Sequence, residues 1–199
     1  IAVHQRERQH AVPSALTWSG IAVTDQGIPE TANEVKMIAN LFTEPHLYIG
    51  KDANKLSFKY AAQEADILHI STHGLMRNDN PLFSALKLTD SWIDVREIYQ
   101  LELRAQLVVL SACHSGLSQI SQGDEMLGLV RGFLGAGAQA LLVSQWDVND
   151  TYAPHFMVQF YQQLLQHDKD PATAIRQAQC HAIAEGHHPF WWAPFYVIG

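Results

Sequence analysis

Two stretches decide the fold of this chain: ILHISTHG at residues 67–74 and LVVLSACHSG at residues 107–116. Each is a short apolar run that ends in polar residues and a glycine, which is typical of a buried strand followed by a turn. Because similar runs alternate with helical patterns along the chain, we predict a mostly parallel sheet with helices on both faces. The histidine and the cysteine near the ends of the two runs should then meet at one edge of the sheet.

Working outward from these runs, we predict strands at about residues 20–24, 46–49, 66–71, 106–111, 138–144 and 194–198. Thr31 and Glu34 have the spacing of a capping box and precede an apolar face, which predicts a helix after the first strand. Residues 74–92 form the longest stretch without a strand or helix pattern, so we predict a functional loop there.

Length and composition favour one globular domain. The chain has 199 residues, of which 47% are hydrophobic and 17% charged, and we assign all of residues 1–199 to one domain, with residues 1–18 peripheral. The net charge of −7 argues against nucleic-acid binding. No apolar stretch has the ~20 residues of a membrane helix, so we expect a soluble protein. The isoleucine at residue 1 suggests the C-terminal part of a longer protein.

His73 and Cys113 form the candidate reacting pair. A cysteine becomes a good nucleophile when a neighbouring group favours its thiolate, and an imidazole within hydrogen-bond reach does this. Gly74 follows the histidine and Gly116 follows the cysteine segment, so the backbone can approach a substrate closely at both places. The amides of Gly74 and Cys113 could then stabilise a developing oxyanion.

The blocks around this pair resemble the CHAT-domain proteins, which are caspase-like peptidases of bacteria that often carry tetratricopeptide repeats. The resemblance covers roughly residues 20–199 and rests on the following blocks in order: HISTHG at 69–74, VVLSACHSG at 108–116, GDE at 123–125, RGFLGAGA at 131–138, VSQWDVND at 143–150 and PFWWAPF at 189–195. The order and spacing of these blocks are far more specific than a lone histidine or cysteine.

The resemblance implies a three-layer caspase-like α/β fold with a mostly parallel central sheet of about six strands. It also implies a cysteine endopeptidase in which Cys113 forms a thioester with its substrate and His73 acts as general acid and base. Metacaspases that cleave after basic residues carry an acid two positions before the cysteine, where this chain has Ser111. That source of basic specificity is therefore absent.

Asp147 and Asp150 are the candidate substrate-binding residues. They follow the strand that comes after the cysteine strand, and in separase-like enzymes an acid from this region lines the pocket for the residue before the cleaved bond. The resemblance thus implies cleavage after a basic residue. An equally weighted alternative is that both aspartates cap the long helix that begins near residue 150. Asp124 and Glu125 are rival acids on the loop after the cysteine.

Several further expectations concern partners and rival functions. We expect a protein substrate, no cofactor, no metal and no membrane, and the two cysteines, Cys113 and Cys180, suit a cytoplasmic protein. The first rival is a latent regulatory or scaffolding domain, which an activating partner or an N-terminal repeat domain would switch on by rearranging residues 74–92. The second is a thiol redox sensor, for which no resolving cysteine lies near Cys113 in sequence.

Overall fold

The computed structural model describes residues 16–77, 79–114, 126–146, 148, 151–166 and 170–199. For residues 112–114 and 126–127 it describes the backbone alone. In these ranges no helix is long and apolar enough to cross a membrane.

A twisted sheet with a six-strand path forms the centre of the molecule. Its strands are β1 (Trp18–Ala22), β2 (His46–Ile49), β3 (Ile67–Leu75), β6 (Leu107–His114), β7 (Ala140–Ser144) and β8 (Phe195–Ile198), in the order β2-β1-β3-β6-β7-β8. All pair in parallel except β8, which runs antiparallel to β7. All six strands predicted from the sequence are therefore confirmed.

Helices cover both faces of the sheet and give three layers. They are α1 (Thr31–Ala39), α2 (Lys55–Glu64), α3 (Val95–Ile98), α4 (Met126–Gly135), α5 (Ala153–Leu165), α6 (Pro171–Ala184) and α7 (Pro189–Trp192). One core lies between the sheet and α2, α3 and α4, and it takes Leu68 and Ile70 from β3. The other lies under α1, α5 and α6, and it takes Ile67 from the opposite face of the same strand. The three-layer α/β prediction is confirmed.

The prediction of a long loop at residues 74–92 is wrong in part. The stretch contains a short 3-10 turn at Pro81–Phe83, strand β4 (Ala85–Lys87) and the start of strand β5 (Trp92–Asp94). β4 pairs antiparallel with the end of β3, and β5 pairs with β4. Three-residue strands are too short to show an alternating pattern, so the hairpin has no clear signal in the sequence.

The predicted capping box at the start of α1 is also wrong. The N-cap position is Glu30, and the Thr31 hydroxyl instead donates to the backbone oxygens of Val23 and Ile28. Glu34 faces the sheet, where its two carboxylate oxygens contact His69 Nε2 at 3.0 Å and the Ser71 hydroxyl at 3.2 Å. The spacing was right for a cap, but Glu34 lies on the inward face of the helix.

This buried polar cluster fixes α1 and the loop before it to β3. His69 is fully buried and its Nδ1 lies 3.1 Å from the hydroxyl of Tyr161 on α5, so both ring nitrogens have partners. Burial raises the pKa of the Tyr161 hydroxyl, which therefore stays neutral. A buried polar group without a hydrogen bond is costly, so the cluster specifies how α1 seats on the sheet.

We expect Glu34→Ala to lower the free energy of unfolding by about 2–4 kcal/mol, because it leaves two buried polar groups, His69 and Ser71, without their partner. Urea denaturation measures this loss. The matched control is Glu64→Ala, an exposed helical glutamate on α2, which should change stability by less than about 0.5 kcal/mol. Equal effects of the two substitutions would show that the buried cluster is not stabilising.

Candidate active site

The backbone register brings the two predicted reacting residues side by side. β3 and β6 pair in parallel from Ile67 with Leu107 onward, and His73 is paired with Cys113 near the carboxyl ends of both strands. Adjacent strands lie about 4.8 Å apart, so the backbones of these residues are close neighbours. The structure thus brings together His73 and the backbone of Cys113, and the thiol itself is outside the described atoms.

An aspartate that the sequence reasoning missed lies against His73. Asp25 is on the loop between β1 and α1, and both of its carboxylate oxygens lie 3.0 Å from His73 Nε2. The side chains of His73 and Asp25 are 15% and 32% exposed, so the pair is partly shielded but reachable from solvent. Their contact can hold the imidazole in one orientation and one tautomer, with Nε2 protonated and Nδ1 left as the proton-exchanging nitrogen.

Two further groups hold Asp25 in place. The Lys87 ammonium, on β4, donates to Asp25 Oδ2 at 2.7 Å, and the backbone N–H of Gly27 donates to Oδ1 at 2.9 Å. The Lys87 hydrogen bond, followed by that of His73, holds the pKa of the Asp25 carboxyl well below its usual range. Asp25 is therefore ionised at neutral pH, and its charge is shared between an ammonium and an imidazole.

Glycine allows the β1–α1 loop to approach the imidazole. A Cβ atom at Gly27 would lie 3.2 Å from His73 Cε1 and 3.3 Å from Asp25 Oδ1, tighter than most such contacts. A side chain at this position would press on both members of the pair. Gly27 therefore has a packing reason to be glycine, independent of backbone conformation.

The segments that follow the two strands also meet. A Cβ atom at Gly128 of α4 would lie 2.6 Å from the backbone oxygen of Pro81, so only glycine lets α4 approach the turn after His73 this closely. The backbone N–H of Arg77 donates to the Ser84 hydroxyl at 3.0 Å, which closes the intervening turn. The turn around Pro81, in the region that was predicted as a loop, thus packs against α4, the helix that follows the cysteine segment.

The structure bears to different extents on the predictions for the remaining site residues. Gly74 is paired on both sides, with Leu86 of β4 and with His114 of β6, and the role of its amide as an oxyanion donor stays a prediction. Asp147 and Asp150 lie outside the described residues, so their substrate-binding role is untested. The N-cap of α5 is Tyr152, which takes the position that the capping alternative gave to these aspartates. Asp124 and Glu125 also lie outside the described residues.

Comparison with known families agrees with this architecture. The family model described as the CHAT domain matches residues 2–199. The chain belongs to the CHAT-domain family. The resemblance inferred from the sequence blocks is thereby confirmed over nearly the whole chain.

Structural comparison shows that this CHAT domain shares its fold with separase. It superposes on separase in two crystal structures of the Saccharomyces cerevisiae separase–securin complex, with TM-scores of 0.63 and 0.61 and sequence identities of 14% and 15%. Each match covers 96% of this chain but only 12% and 13% of the separase chain. At this level of identity the likeness shows the fold alone.

Among curated proteins, the CHAT domain is similar to Tetratricopeptide repeat protein 28. The human protein is 34% identical over 125 residues and the mouse protein 32% identical over 115 residues, which is 61% and 56% of this chain. The match spans 5% of the length of either relative. Both relatives are mammalian, so they do not support the bacterial origin that the sequence resemblance implied.

Proposed function

We propose that this CHAT domain is a cysteine endopeptidase in which Cys113 is the nucleophile and His73 the general acid and base. The observation that carries the proposal is the contact of His73 Nε2 with Asp25 at 3.0 Å, beside a backbone register that pairs His73 with Cys113. A histidine held by a carboxylate on one nitrogen and facing a nucleophile with the other is the arrangement that activates serine and cysteine nucleophiles.

In the proposed reaction, the Cys113 thiol gives its proton to His73 Nδ1 and the sulfur attacks the carbonyl carbon of the substrate. The tetrahedral intermediate collapses to a thioester as the imidazolium returns the proton to the leaving amine. A water then gives a proton to Nδ1 and attacks the thioester, which releases the acid and restores the thiol. Backbone amides of Gly74 and Cys113 would stabilise the oxyanion in both halves of the reaction.

Asp25 acts through His73 and is a positioning residue in this scheme. Its carboxylate accepts the Nε2 proton, so Nδ1 keeps the lone pair that takes the thiol proton. The negative charge also favours the imidazolium that forms during attack. The Lys87 ammonium keeps Asp25 ionised and tethers it to the hairpin that extends β3.

The proposal also covers the residue preference at the cleaved bond, the protein partners and the location of the protein. Cleavage after a basic residue rests on Asp147 and Asp150, which follow strand β7 in sequence. The similarity to tetratricopeptide repeat proteins supports a protein substrate and a neighbouring helical-repeat domain as the partner that presents it. The exposed free cysteine Cys180 suits a reducing compartment, and we propose a cytoplasmic location.

The test is digestion of a peptide library derived from a whole proteome, followed by mass spectrometry of the newly formed termini. We expect new termini with one recurrent residue, lysine or arginine, before the cleaved bond. The latent-domain alternative predicts no new termini until a repeat-domain partner is added. Absence of new termini with and without such a partner would overturn the peptidase assignment.

A further inference from the structure

A row of residues runs across four strands at the candidate site. Cys113 of β6 pairs with His73 of β3, and Lys87 of β4 pairs with Trp92 of β5. β3 and β4 pair through Gly74 with Leu86, so the next position of this antiparallel register sets Lys87 across from His73. The hydroxyl of Thr72 donates to the backbone oxygen of Lys87 at 2.7 Å, in agreement with this register. Trp92 therefore terminates a row that begins at the candidate nucleophile.

The pattern of burial shows that Trp92 lies on the same face as His73. Leu86 and Ile93, the alternate residues of the hairpin, are fully buried in the core under α2, α3 and α4. Lys87 and Trp92 thus face the other way, and Lys87 reaches Asp25, which contacts His73. Adjacent strands are about 4.8 Å apart, so Trp92 lies about 10 Å from β3 and about 14 Å from β6.

The charged groups near Trp92 on this face are already paired, and Trp92 is the apolar residue among them. Trp92 is 42% exposed, although tryptophan normally buries most of its large ring. The Lys87 ammonium is paired with Asp25, and Asp94, which lies beside Trp92 on the same face of β5, is paired with Arg96. Among the described residues the indole N–H of Trp92 has no hydrogen-bond acceptor. What the face offers to a ligand is therefore an aromatic surface and one donor.

We propose that Trp92 forms an apolar subsite for a large hydrophobic or aromatic side chain of the substrate. The inference rests on the proposed function, because the occupant is the extended polypeptide that crosses the row toward Cys113. An extended chain advances about 3.3 Å per residue, so about 10–14 Å corresponds to three or four residues. The subsite accordingly binds the side chain of one residue that lies three or four residues from the cleaved bond. It acts in addition to the pocket for the residue next to that bond.

The experiment compares cleavage-site profiles of the wild-type chain with those of Trp92→Ala, Trp92→Phe and Tyr60→Ala. Tyr60 is the matched control, an exposed aromatic on α2, away from this face. We expect wild type, Trp92→Phe and Tyr60→Ala to favour Phe, Tyr, Trp or Leu at one position three or four residues from the cut. In Trp92→Ala the kcat/KM for such peptides should fall about 10-fold, as expected from one lost apolar contact, with little change for peptides that carry Gly there.

A second measurement separates this inference from the proposed function. Immobilised Cys113→Ala chain, with and without Trp92→Ala, captures peptides from the same library without cutting them. Selective capture of peptides with large apolar residues, lost in the double variant, supports the subsite even if wild type cuts no peptide and the peptidase assignment fails. Identical capture with and without the indole would overturn the subsite, whatever the outcome for catalysis. If wild type does cut peptides, identical cleavage profiles would overturn it as well.

Discussion

Replacing Cys113 with alanine is expected to abolish peptide cleavage and to leave the fold intact. The sulfur forms the bond to the substrate carbon in the proposed reaction, and alanine has no nucleophilic atom that could take its place. Loss of a catalytic nucleophile typically costs several orders of magnitude in kcat, and we expect at least about 10³-fold here. Digestion of the peptide library, with thermal unfolding to verify the fold, measures both parts of the prediction.

The chain contains its own matched control, because Cys180 is the other cysteine. It is exposed on α6, away from the carboxyl ends of β3 and β6. Cys180→Ala should leave kcat and KM unchanged. If Cys180→Ala lost activity while Cys113→Ala kept it, the nucleophile would be misassigned.

The substitution Asp25→Asn is expected to lower kcat about 10²-fold with little change in KM. Asparagine has nearly the same shape, but it lacks the charge that favours the imidazolium and it can offer an N–H where the carboxylate accepts a proton. His73 can then adopt the wrong tautomer, a change that is costly in the related serine enzymes. Steady-state kinetics separates this effect from substrate binding, since a positioning residue affects the chemical step.

Two variants serve as comparisons for Asp25→Asn. Asp170→Asn removes another carboxyl whose pKa is lowered, in that case by the Thr173 hydroxyl and amide at the start of α6, and asparagine is also a good N-cap. It should leave kcat unchanged. Asp25→Glu keeps the charge and should recover part of the lost rate. An unchanged kcat in Asp25→Asn would mean that the observed contact is not used in the reaction.

The sequence predicts the six main strands well because most of them are short runs of apolar residues, and β3, β6 and β7 are rich in leucine and β-branched residues. Such runs carry a signal that does not depend on knowing their neighbours in space. The β4–β5 hairpin carries no such signal, since its strands have three residues each and owe their conformation to pairing with the end of β3. Trp92 and Lys87 therefore appeared in the sequence as residues of a loop, and their place on the same face of the sheet as His73 could not be inferred.

Asp25 illustrates the same limit at the candidate site. It is 48 residues from His73 in sequence, on a loop without a recognisable motif. The available signal was that Asp25 and Gly27 follow the first strand, at the same edge where His73 and Cys113 were placed. That signal becomes usable only when β1 is known to lie next to β3, and strand order is not encoded in local patterns.

Glu34 shows how a correct spacing can predict the wrong contact. Its position three residues after Thr31 fits a capping box, but the same position is also on the inward face of α1. There the carboxylate meets His69 and Ser71, and a buried hydrogen-bonded cluster outweighs a cap worth about 1 kcal/mol. His69 lies within strand β3, and both of its ring nitrogens belong to this buried cluster.

The measurement that tests the central claim most directly is covalent labelling with a peptidyl acyloxymethyl ketone that carries a basic residue next to the reactive group. Mass spectrometry of the digested protein then locates the label. The His73–Cys113 assignment predicts one label per chain on Cys113, none on Cys180, and at least about 10²-fold slower labelling in His73→Ala. Labelling of Cys113 at the same rate with and without His73, or labelling of Cys180 alone, would contradict it.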